Sequence, residues 1–232
     1  MAAIGILGGM GPQASARLYE LLIEGTKNYT PAANDSDYPE IVLLNVPVPN
    51  FISNKNEIEK AKQMLINRSL LLEQAGSIVN GIACNTAHVL LPELQAVTKV
   101  PFLSIPKLVA DRAKATGVER IGLLATPTTL SSTLYDEALK GIAIVVRPNV
   151  IISKQIEKYI YRQLRNKINS EDALAFQKLV KDFKRSEDLD AVILGCTELP
   201  LIYGNSSQDV IDTLQLLCDG LLKSYYSQAL KN

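Results

Sequence analysis

Ile4-Gly5-Ile6-Leu7-Gly8, at the start of the chain, is echoed by Ile121-Gly122-Leu123-Leu124-Ala125. Further on, Gly81-Ile82-Ala83-Cys84-Asn85-Thr86 is echoed by Leu194-Gly195-Cys196-Thr197. A short apolar run that ends in small residues reads as a strand buried on both faces, the kind found in parallel sheets. Working outward, strands are expected at Ile4–Gly8, Ile41–Val46, Ser77–Ala83, Phe102–Ile105, Arg120–Ala125, Ile142–Arg147, Ala191–Gly195 and Val210–Ile211. Helical patterns alternate with them, which makes the chain α/β. Pro12 sits where a first helical residue belongs. The helix from about Asn56 stops at Gly76, the one from Pro106 at Gly117, and the segment from Ser131 to Lys140 at Gly141. The repeat implies two similar parallel-sheet α/β domains, each placing a cysteine after its third strand. Ligands of open α/β sheets bind at such carboxyl ends. The first domain is expected over residues 1–105 plus 210–232 and the second over 106–209. The last helix, about Asp212 to Leu230, is expected to return to the first.

Composition narrows the function classes. The 232 residues are about one and a half typical domains. Lys+Arg and Asp+Glu both count 24, so the basic excess of a non-specific nucleic-acid binder is missing. One histidine excludes any histidine-cluster chemistry. Three cysteines in a chain too large to need disulfide staples point to the reducing cytoplasm. The N-terminus lacks a basic n-region, and no apolar run approaches the roughly 20 residues of a membrane helix. No membrane partner is expected.

Gly9-Met10-Gly11-Pro12-Gln13-Ala14 formally matches a dinucleotide fingerprint, G-x-G-x-x-A. The second strand, however, ends in Asn45-Val46-Pro47 without the acidic residue that would hold a ribose. What remains is a tight turn, either simply packed or with N–H groups facing an anion. Cys84 and Cys196 each precede a helical pattern, where the helix dipole and free N–H donors favour a thiolate. A disulfide between them is not the expected working state. Cys84, His88 and Cys196 form at most a weak metal signal, and no metal is expected. Cys84 with His88 is the only candidate thiol–histidine dyad, but it leaves Cys196 unexplained. Two facing thiols suit a different reaction, in which one removes a proton from a carbon and the other returns one to the opposite face. Cys218, within an apolar helix segment, reads as core.

Gly8-Gly9-Met10-Gly11-Pro12, Cys84-Asn85-Thr86-Ala87-His88 and Gly195-Cys196-Thr197-Glu198 together resemble the signatures of the cofactor-independent aspartate/glutamate racemases, in particular the aspartate branch. The likeness runs in order along essentially the whole chain. It implies two α/β domains with the active site in the cleft between them, no pyridoxal phosphate, a small amino-acid substrate and a homodimer. By match to the motifs, Cys84 and Cys196 take the catalytic positions. Met10, Gly11, Asn85, Thr86, Thr126, Lys154, Thr197 and Glu198 fall in substrate-contacting positions. Glu198 stands where glutamate racemases usually carry histidine. The resemblance also assigns Cys196 to the L enantiomer and Cys84 to the D.

Two departures stand out, the first bearing on the expected substrate and the second on local loop geometry. Some aspartate racemases supply an arginine from the loop after the second strand, whereas Val46-Pro47-Val48-Pro49-Asn50-Phe51-Ile52 offers no cation before Lys55. Thr128 replaces an expected family glycine. Aspartate, and by extension glutamate, are the expected substrates. A maleate isomerase or hydantoin racemase reaction on the same scaffold is the nearest alternative. A non-catalytic small-acid binder and a nucleotide-binding oxidoreductase follow.

Overall fold

A computed structural model describes residues 2–49, 57–204 and 209–229. The chain divides into two compact units, Met1–Ser104 with Leu214–Asn232, and Ile105–Thr213.

The first unit is built on β1 (Ala3–Gly8), β2 (Glu40–Asn45) and β3 (Ser77–Ile82), all parallel in the order β2-β1-β3. Every residue of β1 is buried, as expected of a central strand covered on both faces. Its helices are α1 (Pro12–Thr26), α2 (Ile58–Gln74) and the short α3 (Leu91–Ala96). Ala14, Leu18, Leu21 and Leu22 bury one stripe of α1. A core of Leu7, Leu65, Leu72, Ile82 and Leu94 joins α2 and α3 to the sheet.

The second unit repeats the order as β5-β4-β6 and adds a strand, with β4 (Arg120–Ala125), β5 (Ile144–Val146), β6 (Ala191–Gly195) and β7 (Val210–Asp212). Its helices are α4 (Ile105–Thr116), α5 (Pro127–Ser131), α6 (Leu134–Ala138), α7 (Val150–Leu164), α8 (Ser170–Ser186) and α9 (Leu199–Tyr203). Phe176, Val180 and Phe183 of α8 pack with Ile156 and Ile160 of α7 against Leu124, Val192 and Leu194. The N-terminus of α8 carries a capping box between Asn169 and Asp172, and Arg162 pairs with the same Asp172. The final helix, α10 (Thr213–Ala229), lies in the first unit from Leu214 onward. Leu217 and Leu221 reach Gly81 of β3, and Leu222 and Cys218 reach Gly25 of α1. Cys218 is fully buried there.

Several sequence expectations change. Phe102–Ile105 is not a strand: Phe102 makes a single parallel bridge to Asn80, and Ile105 already begins α4. Pro101 has no N–H to extend the ladder, and Pro106 favours a helix start. The segment Ser131–Lys140 is helical only over α6, with Ser131 ending α5 and Ser132-Thr133 separating the two. The chain returns to the first unit at Leu214 rather than at 210, because β7 pairs with β6. The expected helix stops hold, since Gly76, Gly117 and Gly141 all have positive φ. Asn56 and Leu230, expected at two helix ends, lie outside the described residues. Among the described residues no helix is long and apolar enough to cross a membrane.

Candidate active site

In the first unit the glycine turn leads from β1 into α1. Gly9 has φ +93°, and a Cβ there would stand 2.6 Å from the backbone N and O of Val46. Glycine is therefore required by conformation and by space. The Gly9 N–H donates to Ser15 Oγ at 2.9 Å, and that hydroxyl donates to the Gly11 carbonyl at 3.0 Å. This N–H is used within the turn and α1. Gly11 is the N-cap of α1 with Pro12 at N1, and Met10 beside it is buried.

Cys84 follows β3 and is 3% exposed, with Asn85 and Thr86 equally buried. A 3₁₀ turn spans Thr86–Leu90, followed by the six-residue α3. The helical pattern after Cys84 is thus short, which leaves little of the macrodipole invoked for its thiolate. His88 is buried, and its Nδ1 lies 2.8 Å from the Cys84 carbonyl oxygen. The imidazole is thus engaged with the backbone of Cys84. Burial holds the His88 pKa below its ordinary value, against the opposing effect of hydrogen bonds to the backbone of Cys84, Leu103 and Asn85.

In the second unit Cys196 follows β6 and is 5% exposed. The helix after it, α9, is also short, with five residues, so the dipole argument weakens here as well. The Leu199 N–H bonds the Cys196 carbonyl at 2.9 Å and closes a tight turn over the cysteine. Within that turn the Cys196 thiol donates to Glu198 Oε2 at 3.0 Å, and Thr197 Oγ1 donates to the same oxygen at 3.3 Å. Glu198 is 2% exposed and sits at the N-cap of α9 without a side-chain capping bond; its carboxylate turns back to the sulfur.

Thr126 is buried at the start of α5, accepts the Thr129 N–H at 3.3 Å as N-cap, and lies 3.1 Å from Thr129 Oγ1. Thr128 sits inside α5 with helical backbone, so the missing family glycine causes no strain. Lys154 is an exposed residue of α7, and none of the contacts described in this unit joins it to Cys196 or Glu198. Tyr135 was not anticipated. It is buried in α6, and desolvation, followed by the nearby Cys196, pushes its phenol pKa well up. A lone tyrosine in a polar helix segment carries no signal in sequence that would single it out.

The loop Val46–Ile52 is described only through Pro49, and Asn50 through Lys55 lie outside the described residues. All three cysteines are free thiols. Among the described residues no three of His, Cys, Asp and Glu gather as metal ligands.

Known proteins extend this geometry. A family profile described as Asp/Glu/Hydantoin racemase matches residues 7–220. The broad specificity amino-acid racemase RacX of Bacillus subtilis is 26% identical over 230 residues, 96% of this chain and 97% of that protein. The solved structure of PH1733, an aspartate racemase homologue from Pyrococcus horikoshii, is 30% identical with a TM-score of 0.80, covering 96% of this chain and 98% of its own. Picrophilus torridus aspartate racemase is 31% identical with a TM-score of 0.77, covering 96% and 94%. With two repeated parallel sheets, a cysteine after the third strand of each, and a profile that spans both, the chain belongs to the Asp/Glu/hydantoin racemase family.

Proposed function

We propose that this racemase inverts Cα of an acidic amino acid, aspartate and by extension glutamate, with Cys84 and Cys196 as its two acid–base groups and without pyridoxal phosphate. The carrying observation is the matched placement of two buried thiols, each directly after the third strand of a repeated unit. The mechanism requires both sulfurs to reach one Cα from opposite sides. One thiolate takes the Cα proton, an S–H bond forms, and the electron pair of the broken C–H bond stays on carbon. The other thiol returns a proton to the opposite face. Asn85, Thr86, Thr126 and Thr197 supply buried amide and hydroxyl groups for the α-carboxylate and amino group, where fixed dipoles favour the carbanion. Met10 and Gly11 shape the first-unit side of the substrate, Lys154 meets a substrate carboxylate, and Cys196 serves the L form while Cys84 serves the D.

The loop after β2 has no cation before Lys55, which favours acceptance of side chains beyond aspartate. The relative named as broad in specificity supports the same reading. Three free cysteines suit a reducing compartment, and the proposed working state is a cytoplasmic homodimer. The test is chiral chromatography of L- and D-aspartate, L- and D-glutamate and a neutral amino-acid panel, each incubated with reduced protein in D2O. Racemisation with deuterium at Cα is expected for the acidic pair at least. Inversion without deuterium, or no inversion of any amino acid, would overturn the proposal.

A further inference from the structure

Of the two thiols, only Cys196 is followed in sequence by a carboxylate that turns back onto it: Cys84 is followed by the neutral Asn85 and Thr86. We infer that Glu198 holds Cys196 in its protonated form, so that the resting enzyme has Cys196 as its acid and Cys84 as its base. The catalytic meaning of this assignment rests on the two-thiol reading above. The protonation state itself stands on the contact between Cys196 Sγ and Glu198 Oε2.

The pair shares one proton, and the chemistry decides where it resides. A thiol ionises near pH 8.5 and a glutamic acid near 4.3, about four units apart in favour of charge on the carboxylate. Burial disfavours both anions, so it leaves their order unchanged. Losing the second proton would place two negative charges about 3.0 Å apart, which opposes thiolate formation at Cys196. Thr197 Oγ1, donating to the same oxygen, stabilises the ionised carboxylate further. Tyr135, coupled electrostatically to Cys196, is held as a neutral phenol by its burial and does not offset the charge.

Protons balance over a cycle. Cys84 ionises to solvent, its thiolate takes the Cα proton, and Cys196 delivers its own proton to the other face. That leaves a Cys196 thiolate beside Glu198, the disfavoured state, which recovers a proton from solvent. The free enzyme is therefore biased towards one enantiomer, the D form on the assignment above.

The test reads thiol reactivity and needs no turnover, so its failure and the failure of the racemase reading are separable. Wild type and Glu198→Gln are alkylated with iodoacetamide at pH 7.5, and Cys84, Cys196 and Cys218 are followed separately by peptide mass mapping. Glutamine keeps the shape and removes the charge. Cys196 is expected to react about tenfold faster or more in the variant, with Cys84 changed much less. An unchanged or slower Cys196 overturns the inference. A second measurement leaves Glu198 untouched: thiolate absorbance near 240 nm at pH 8 is expected to be the same in Cys196→Ser as in wild type. Loss of thiolate absorbance in Cys196→Ser overturns it.

Discussion

The two units solve the same problem with different parts. In both, a central parallel strand leaves the sheet and must start a helix within a few residues. The first unit uses Gly9, bent into positive φ against the backbone of Val46, before Gly11-Pro12 opens the fifteen-residue α1. The second goes directly from Ala125 to Thr126-Pro127, where the threonine hydroxyl caps a five-residue helix. The third-strand neighbours also differ: Phe102 makes one bridge to β3, whereas Val210–Asp212 forms a full strand on β6. In each case the chain then leaves for the other unit, through α4 and α10. The repeat is thus one of topology, and it leaves side chains free to diverge. At the cysteines the divergence becomes chemical, with neutral Asn85-Thr86 after one and Thr197-Glu198 after the other.

The comparison breaks most sharply at the thiols. Cys84→Ala and Cys196→Ala should each lower racemisation by about a thousandfold or more, since removing either member of an acid–base pair stops inversion. Each variant should still exchange the Cα proton of one enantiomer with D2O, detected by mass spectrometry, and the enantiomers should differ between the two. Racemisation surviving in either variant would sink the two-thiol account.

The next contrast is between the turns. Gly9→Ala should destabilise the protein by about 2–5 kcal/mol in urea denaturation, from positive-φ strain and collision with Val46. Thr126→Ala should cost about 1 kcal/mol, the worth of an N-cap. Equal losses would show that the turns are interchangeable after all.

The smallest contrast lies at the strand starts. In the first unit the Ala3 N–H bonds the Gly76 carbonyl, whereas in the second the N–H groups of Glu119 and Arg120 bond the Asp190 carboxylate at 2.9 and 2.8 Å. Those bonds, the one from Arg120 foremost, hold the Asp190 pKa below its ordinary value. With the folded pKa depressed, its stabilisation is present above about pH 4, the ordinary carboxylate range, and is lost as pH falls through the folded value. Asp190→Asn should lower Tm by roughly 2–4 °C at pH 7, and the difference should vanish towards pH 2. A gap independent of pH would assign the effect to shape rather than charge.

Reading the sequence recovered the repeat because buried parallel strands are nearly continuous apolar runs, legible without a partner. Gly76, Gly117 and Gly141 marked helix stops for a local reason, their backbone conformation. Phe102–Ile105 misled because pairing depends on N–H groups that Pro101 lacks, while its residues still look like a strand. Lys154 is exposed on α7, a placement that its position in the sequence does not reveal. Tyr135 stayed invisible because only folding brings α6 towards Cys196.

By itself, the sequence determined what is written in local pattern: two α/β halves, a cysteine after each third strand, and a tight glycine turn between β1 and α1. Tertiary structure decided what depends on which polar group meets which. It gave the Gly9 N–H to Ser15, turned His88 onto the Cys84 backbone, moved the domain seam past β7, and folded Glu198 back onto Cys196. Strand and turn preferences are summed over neighbouring residues, whereas a hydrogen bond between side chains exists only once the backbone has fixed their distance and direction.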